Sequence, residues 1–384
     1  MPPETNMNVI EIIAYHGYPA EIFTFTTPDG YILEVHRIPC GKTDLRTCES
    51  KRRPVIFFQH GLLGSSADWV TNLPNQSAAF LFADAGFDVW MGNIRGNKYS
   101  IWHKNFTSSD KVYWQFSWDE MANFDLETMI NGVLEVTGRE DLYYVGHSQG
   151  TLIMFAKLSN DRLFTKKIRK FFALAPVATV GHIKGLIHYI AEHFLKHPLA
   201  EIIFGNKDFL PNTRFSKMIS ELMCGIHYMN PLCDSVLFQI AGPESNQFNQ
   251  SRVVVYLTHT PAGTSTRNIF HWSQMVKSKM VQKYDYGTNE ENYRHYGQPT
   301  PPVYNLTNID AQIYIFWSDK DWLADQTDVE DSLLNVLRPY CMKNVSRLVD
   351  FNHVDFIWGL RAADEIYKPI LQTIKIHEQR RKVF

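Results

Sequence analysis

The sequence predicts an α/β fold: a mostly parallel central sheet with helices on both faces and a mainly helical insertion. Three observations carry that expectation. Unbroken apolar runs recur at 54–61 (PVIFFQHG), 86–93 (GFDVWMGN), 141–147 (DLYYVGH), 170–177 (KFFALAPV) and from 312 (QIYIFWS), as strands buried on both faces require. Segments of helical periodicity alternate with these runs, the pattern of a doubly wound sheet. The alternation stops after Val180 and resumes only at 312.

Taken in order, EIFTFTT (21–27) and YILEVHRI (31–38) flank Pro28-Asp29-Gly30 and read as a hairpin. A charged loop from Gly41 to Arg53 precedes the first buried run. Ser117 and Glu120 have the spacing of a capping box, after which Leu126, Ile130, Val133 and Leu134 share one helix face. Leu152, Phe155 and Ala156 start another helix directly after Ser148. Residues 1–180 and 304–384 are needed to complete one sheet. The intervening 181–303 are therefore expected to form a cap over its carboxyl edge. Within the cap, Ile183, Leu186, Ile187, Ile190 and Phe194 keep helical spacing, and only VVVYL (253–257) reads as extended. Apolar residues between Leu195 and Met223 suit a cap core or a greasy lid face.

Composition narrows the class. The 384 residues carry 38 Lys+Arg against 40 Asp+Glu, a net charge of −2, which disfavours a nucleic-acid binder. With 45% hydrophobic and 20% charged residues the chain can bury a full core. No apolar run approaches the roughly 18 residues of a membrane span. The opening MPPETNMNVIEI has neither a cationic nor an apolar leader segment. Asn-x-Ser/Thr acceptors nevertheless occur at Asn75, Asn105, Asn249, Asn305 and Asn344, and C-x-x-C pairs are missing. Cys224 and Cys233 could close a small disulfide loop. These features favour a secretory route.

The chemistry centres on Gly146-His147-Ser148-Gln149-Gly150. A buried-type strand ends at His147 and a helix begins at Gln149, the strand–turn–helix setting of a nucleophile elbow. Gly146 and Gly150 let strand and helix approach closely, and the Gln149 amide points at a developing oxyanion. A serine hydroxyl needs a base oriented by a carboxylate, and in this topology the order is Ser, acid, His. Downstream of the resumed sheet stand only His353 and His377, and His377 lies in the cationic tail HEQRRKVF, which reads as frayed and solvated. That leaves His353. The acid lies among Asp319, Asp321 and Asp325; Asp325 suits a helix cap, and position alone leaves 319 and 321 open. Gln59-His60-Gly61-Leu62 ends an early strand, so the Leu62 amide is expected to be the second oxyanion donor, with His60 structural.

At this level of detail the chain resembles the acid lipases, the family of lysosomal acid lipase and gastric lipase. The likeness runs through HGLLGSSADWVTNLPNQS, FSWDEMANFDL, YYVGHSQGT, RVVVYLTHTPAGTS, HWSQMVKS, KDWLAD and HVDFIWG. It implies an α/β-hydrolase core with a cap and a mobile lid, placed at about 211–241, and hydrolysis of neutral-lipid esters at a lipid–water interface without metal or organic cofactor. It also implies a lysosomal or secreted location. It puts the acid at Asp321 and the base at His353, Leu62 and Gln149 at the oxyanion positions, and Cys224 and Cys233 at the lid-region disulfide. Two departures stand out: Ser318-Asp319 replaces an expected glycine pair, and Ile94 stands at a usual serine. A Cys40–Cys48 pair is not a family feature, which leaves a second disulfide there open. Protonation of all 15 histidines would carry the net charge toward an upper bound of +13 and favour anionic lipid surfaces. The competing expectations are an esterase or acyltransferase for smaller esters, or a non-catalytic lipid carrier.

Overall fold

A computed structural model describes residues 1–48, 52–193, 207–211 and 240–381. The hairpin strands β1 (Glu21–Thr26) and β2 (Tyr31–Ile38) meet at Gly30, whose φ of +100° suits a residue without Cβ. The chain continues through β3 (Val55–Gln59), β4 (Asp88–Gly92), β5 (Trp102–His103), β6 (Leu142–His147) and β7 (Ile168–Leu174). After the insertion come β10 (Ile313–Trp317) and β11 (Met342–Arg347). These nine strands form one sheet in the order β1-β2-β4-β3-β6-β7-β10-β11, with β5 on β2. From β4 through β11 every pairing is parallel; the opening hairpin is antiparallel. In β3, β4 and β6 every residue is buried, which explains their unbroken apolar runs.

Register decides where chemistry can be placed. Gln59 lies opposite Gly146, Gly146 opposite Ala173, Leu174 opposite Phe316, and Trp317 opposite Arg347. The parallel strands thus finish along one edge, and the loops after β3, β6, β10 and β11 converge there. The Ser117 capping box is present, and the helix Leu126–Thr137 turns Leu126, Ile130, Val133 and Leu134 inward.

Between β7 and β10 the described chain forms helices Gly185–His193, Val253–His259, Thr266–Ser278 and Asn289–Tyr296. The two short strands β8 (Asp208–Phe209) and β9 (Thr264–Ser265) pair antiparallel in the same stretch. The expected lid, apart from its flanks, lies outside the described residues, as do Cys224, Cys233 and most of the apolar residues from Leu195 to Met223.

Two sequence expectations need correction. VVVYL is helical: its burial repeats at Arg252, Val255, Tyr256 and His259, one helix face, so packing overrides the extended preference of β-branched residues. The tail is not frayed: His377 belongs to the helix Lys368–Arg381, and its Nδ1–H donates to the Tyr143 hydroxyl at 2.7 Å, while that hydroxyl donates to the Glu378 carboxylate at 2.6 Å. The base of β6 gives that tail a partner no local pattern reveals. Cys40 and Cys48, whose pairing the sequence leaves open, form a disulfide, with Cα atoms 5.4 Å apart. Among the described residues, no helix is long and apolar enough to cross a membrane.

Candidate active site

Ser148 occupies the turn between β6 and the helix Gln149–Asn160, with φ 53° and ψ −119°. Three glycines explain how so tight a turn fits. A Cβ on Gly150 would lie 2.4 Å from the Gln59 carbonyl oxygen, and one on Gly146 would lie 2.7 Å from the Gly150 carbonyl oxygen. A Cβ on Gly61 would lie 2.9 Å from the Ser148 Cβ, so the loop after β3 sits against the elbow.

The structure brings Ser148, His353 and Asp321 together. The Ser148 Oγ is 2.8 Å from His353 Nε2. His353 Nδ1 is 2.9 and 3.0 Å from the two Asp321 carboxylate oxygens. A carboxylate only accepts, so Nδ1 carries the proton and Nε2 is left free to accept from the serine hydroxyl. Asp321 is fully buried, and its Oδ1 also accepts from the amides of Leu323 and Ala324 at 2.9 and 2.8 Å. The other aspartates point elsewhere. Asp319 pairs with Arg347 at 3.1 Å, and Asp325 caps the helix Gln326–Val329.

Gln149 follows Ser148 directly, and Leu62 follows Gly61 in the loop that sits against the elbow. Neither backbone amide donates to an acceptor among the described residues. His60 stays within its turn: Nδ1–H donates to the Gly61 carbonyl at 2.8 Å, and Nε2 accepts from the Ile94 amide at 3.3 Å. Burial pushes its pKa down to about 4. His147 donates Nε2–H to the His353 carbonyl at 2.9 Å. Burial and the neighbouring His353 push it down to about 3. The His271 pKa is likewise lowered, to about 4, by burial, so full protonation of all histidines in mild acid does not occur.

Sequence reading missed a backbone strap. The Ala241 carbonyl accepts from both the Trp322 and the His353 amides, at 3.3 and 3.0 Å, joining the acid loop to the base loop. Gly242 follows at φ +124°, where a Cβ would lie 2.2 Å from the Lys320 carbonyl oxygen. Asn352 then donates to the Pro243 carbonyl, and Gln247 to that of Asp350. Gly242 beside Pro243 was the one available signal, and it reads equally well as a loose connector.

Of the five glycosylation candidates, Asn75, Asn105, Asn305 and Asn344 are exposed. Asn249 is half-buried, with its amide donating to Gln76.

A parallel sheet of this order, with a strained serine at the end of its central strand, defines an α/β hydrolase. Residues 9–73 match the partial alpha/beta-hydrolase lipase region, and residues 54–195 match the alpha/beta hydrolase fold. A candidate lipase from Sulfolobus solfataricus agrees in fold with a TM-score of 0.61 at 13% identity, over 93% of this chain and 94% of that one. Curated relatives are nearer. Lipase lipl-1 of Caenorhabditis elegans is 53% identical over 97% of this chain and 92% of its own length. Gastric triacylglycerol lipase of Bos taurus is 45% identical over 97% and 92%. Lysosomal acid lipase/cholesteryl ester hydrolase of Homo sapiens is 43% identical over 98% and 92%. The chain belongs to this acid lipase family of carboxylic ester hydrolases.

Proposed function

We propose that the protein is a serine lipase that cleaves the esters of neutral lipids, triacylglycerols or cholesteryl esters, through Ser148, His353 and Asp321. The observation that carries this reading is the 2.8 Å contact of Ser148 Oγ with an imidazole held in the accepting tautomer. His353 Nε2 takes the hydroxyl proton as Oγ adds to the ester carbonyl. Asp321 fixes the imidazole and stabilises the imidazolium. The Leu62 and Gln149 amides, which lack acceptors among the described residues, receive the oxyanion; losing one such donor typically costs about 2.7–4 kcal/mol. The imidazolium returns its proton to the departing alcohol oxygen and leaves an acyl group on Ser148. Water, deprotonated by His353, then releases the fatty acid.

Residues 181–303 would serve as the cap of this site, with the lid at about 211–241. A lysosomal or secreted location accords with the Cys40–Cys48 disulfide, the exposed acceptor asparagines and the relatives' names. Glycan acceptance at those asparagines belongs to the same proposal.

The test compares hydrolysis of emulsified triacylglycerol, cholesteryl ester and a short-chain soluble ester by wild type and Ser148→Ala. Long-chain esters should be cleaved, and turnover should fall by roughly 10⁴-fold or more in the variant. Appreciable hydrolysis by folded Ser148→Ala would refute the assignment, and activity confined to the short ester would refute the lipid substrate.

A further inference from the structure

Gln149 poses a question the elbow does not answer. Only its backbone amide is needed beside the nucleophile, yet its long polar side chain is almost fully buried. Its Oε1 accepts two hydrogen bonds, from Asn268 Nδ2 at 2.9 Å and from Trp272 Nε1 at 2.8 Å. Both donors come from the helix Thr266–Ser278, which lies in the insertion between β7 and β10.

The direction of every bond in this chain is forced. An indole N–H only donates, so the Gln149 oxygen must face Trp272. The amide nitrogen of Asn268 must then face the same oxygen. Asn268 Oδ1 is left to accept, and it receives the Trp118 amide at 2.9 Å. The Gln149 nitrogen is turned toward Met121 Sδ, 3.4 Å away. The donor helix is itself anchored. Ser265 caps it through the Asn268 amide, and His271 Nδ1 lies 2.9 Å from Ser117 Oγ. Asn268, His271, Trp272 and Met275 fall at i, i+3, i+4 and i+7, one face of the helix.

We propose that Asn268 and Trp272 are positioning residues: through the Gln149 side chain they hold the Gln149 amide on the oxyanion. The inference rests on the serine-hydrolase reading above. The amide must stay on target while charge builds on the carbonyl oxygen, and a donor already held there needs no reorganisation. The clamp also makes the insertion a part of the oxyanion site rather than a cover alone.

The experiment uses the full chain with Gln149→Met, which keeps the amide and the side-chain length, and Trp272→Phe, which keeps most of the ring. On a soluble short-chain ester, kcat should fall about ten-fold in each, with KM within about two-fold. Affinity for a boronic acid that forms a tetrahedral adduct on Ser148 should fall by the same factor. The double variant should lose no more than either single, because both remove one clamp. A merely structural role would lower the melting temperature and leave boronate affinity of the folded protein unchanged. Unaltered kcat and boronate affinity in both single variants, with turnover still dependent on Ser148, would overturn the clamp alone. So would losses that multiply in the double variant. Full turnover in Ser148→Ala would instead overturn the underlying reading and the clamp with it.

Discussion

The imidazole of His147 hydrogen-bonds the backbone carbonyl of His353 across 2.9 Å, so the residue before Ser148, the proposed nucleophile, carries the loop that presents His353, the proposed base. The ring is buried and its Nδ1 has no hydrogen-bond partner among the described residues, where this single bond is its polar task. Replacing it by leucine should leave the His353 carbonyl unpaired and let the base loop drift. In His147→Leu we expect kcat/KM to fall about 10- to 100-fold, as for a displacement of the order of 1 Å. Because burial holds His147 at about 3, the neutral ring persists in mild acid. The loss should therefore be equal at about pH 5 and pH 7 in steady-state assays; a loss appearing at only one pH would contradict this role.

Gly242 gives a second test. Its Cβ-free backbone lies against Lys320 while the neighbouring Ala241 carbonyl ties the acid and base loops together. Gly242→Ala meets both a φ that favours glycine and a backbone clash. Turnover should drop at least about ten-fold, alongside a destabilisation of about 1–3 kcal/mol measured by denaturant unfolding. An alanine variant with native stability and rate would show that the strap is dispensable.

Asp68 supplies the pH-dependent case. Burial raises its pKa to about 7, far above its value in an unfolded chain, and its Oδ1 lies 3.4 Å from Thr260 Oγ1. Below about pH 4 it is protonated in both states and has no pH-dependent effect. Between about pH 4 and 7 the native state keeps the proton that the unfolded state has lost. Stability therefore declines by roughly 1.4 kcal/mol for each unit of rising pH in that window. Asp68→Asn lacks this titration, so its stability relative to wild type should rise with pH and level off above about 7. Thermal melts at pH 4, 5.5 and 7 check the slope; a relative stability that falls with pH would reverse the assignment.

The Cys40–Cys48 disulfide closes a short loop, with a sequence separation of eight. Loop-closure entropy for that length corresponds to about 2–3 kcal/mol. A Cys40→Ser/Cys48→Ser double variant should lose about that much stability while keeping Ser148-dependent turnover in the folded protein, since the loop lies away from the elbow. Matched unfolding curves and rates test both halves.

Legibility in the sequence followed the range of the interactions. The elbow could be read because its needs are local: glycines two residues either side of Ser148, with a buried strand before and a helix after. The central strands could be read because burial on both faces demands unbroken apolar runs. His353 emerged by elimination, and Asp321 was separated from Asp319 only by the family likeness. What stayed hidden depends on partners far along the chain. Gln149 meets Asn268 across 119 positions and His147 meets His353 across 206. No periodicity announces such contacts. The VVVYL segment was misread because local propensity is a weak guide where the buried face of a helix is set by its neighbours.

The order of the sheet has a consequence for biosynthesis. Ser148 follows the central strand β6, whereas its hydrogen-bonded imidazole follows β11, the outermost parallel strand, which comes later in the chain than the other described strands of the sheet. Until that strand docks, the protein holds only an inert alcohol. On the proposed mechanism, a chain in which β11 has not yet docked would leave the lipids around it intact.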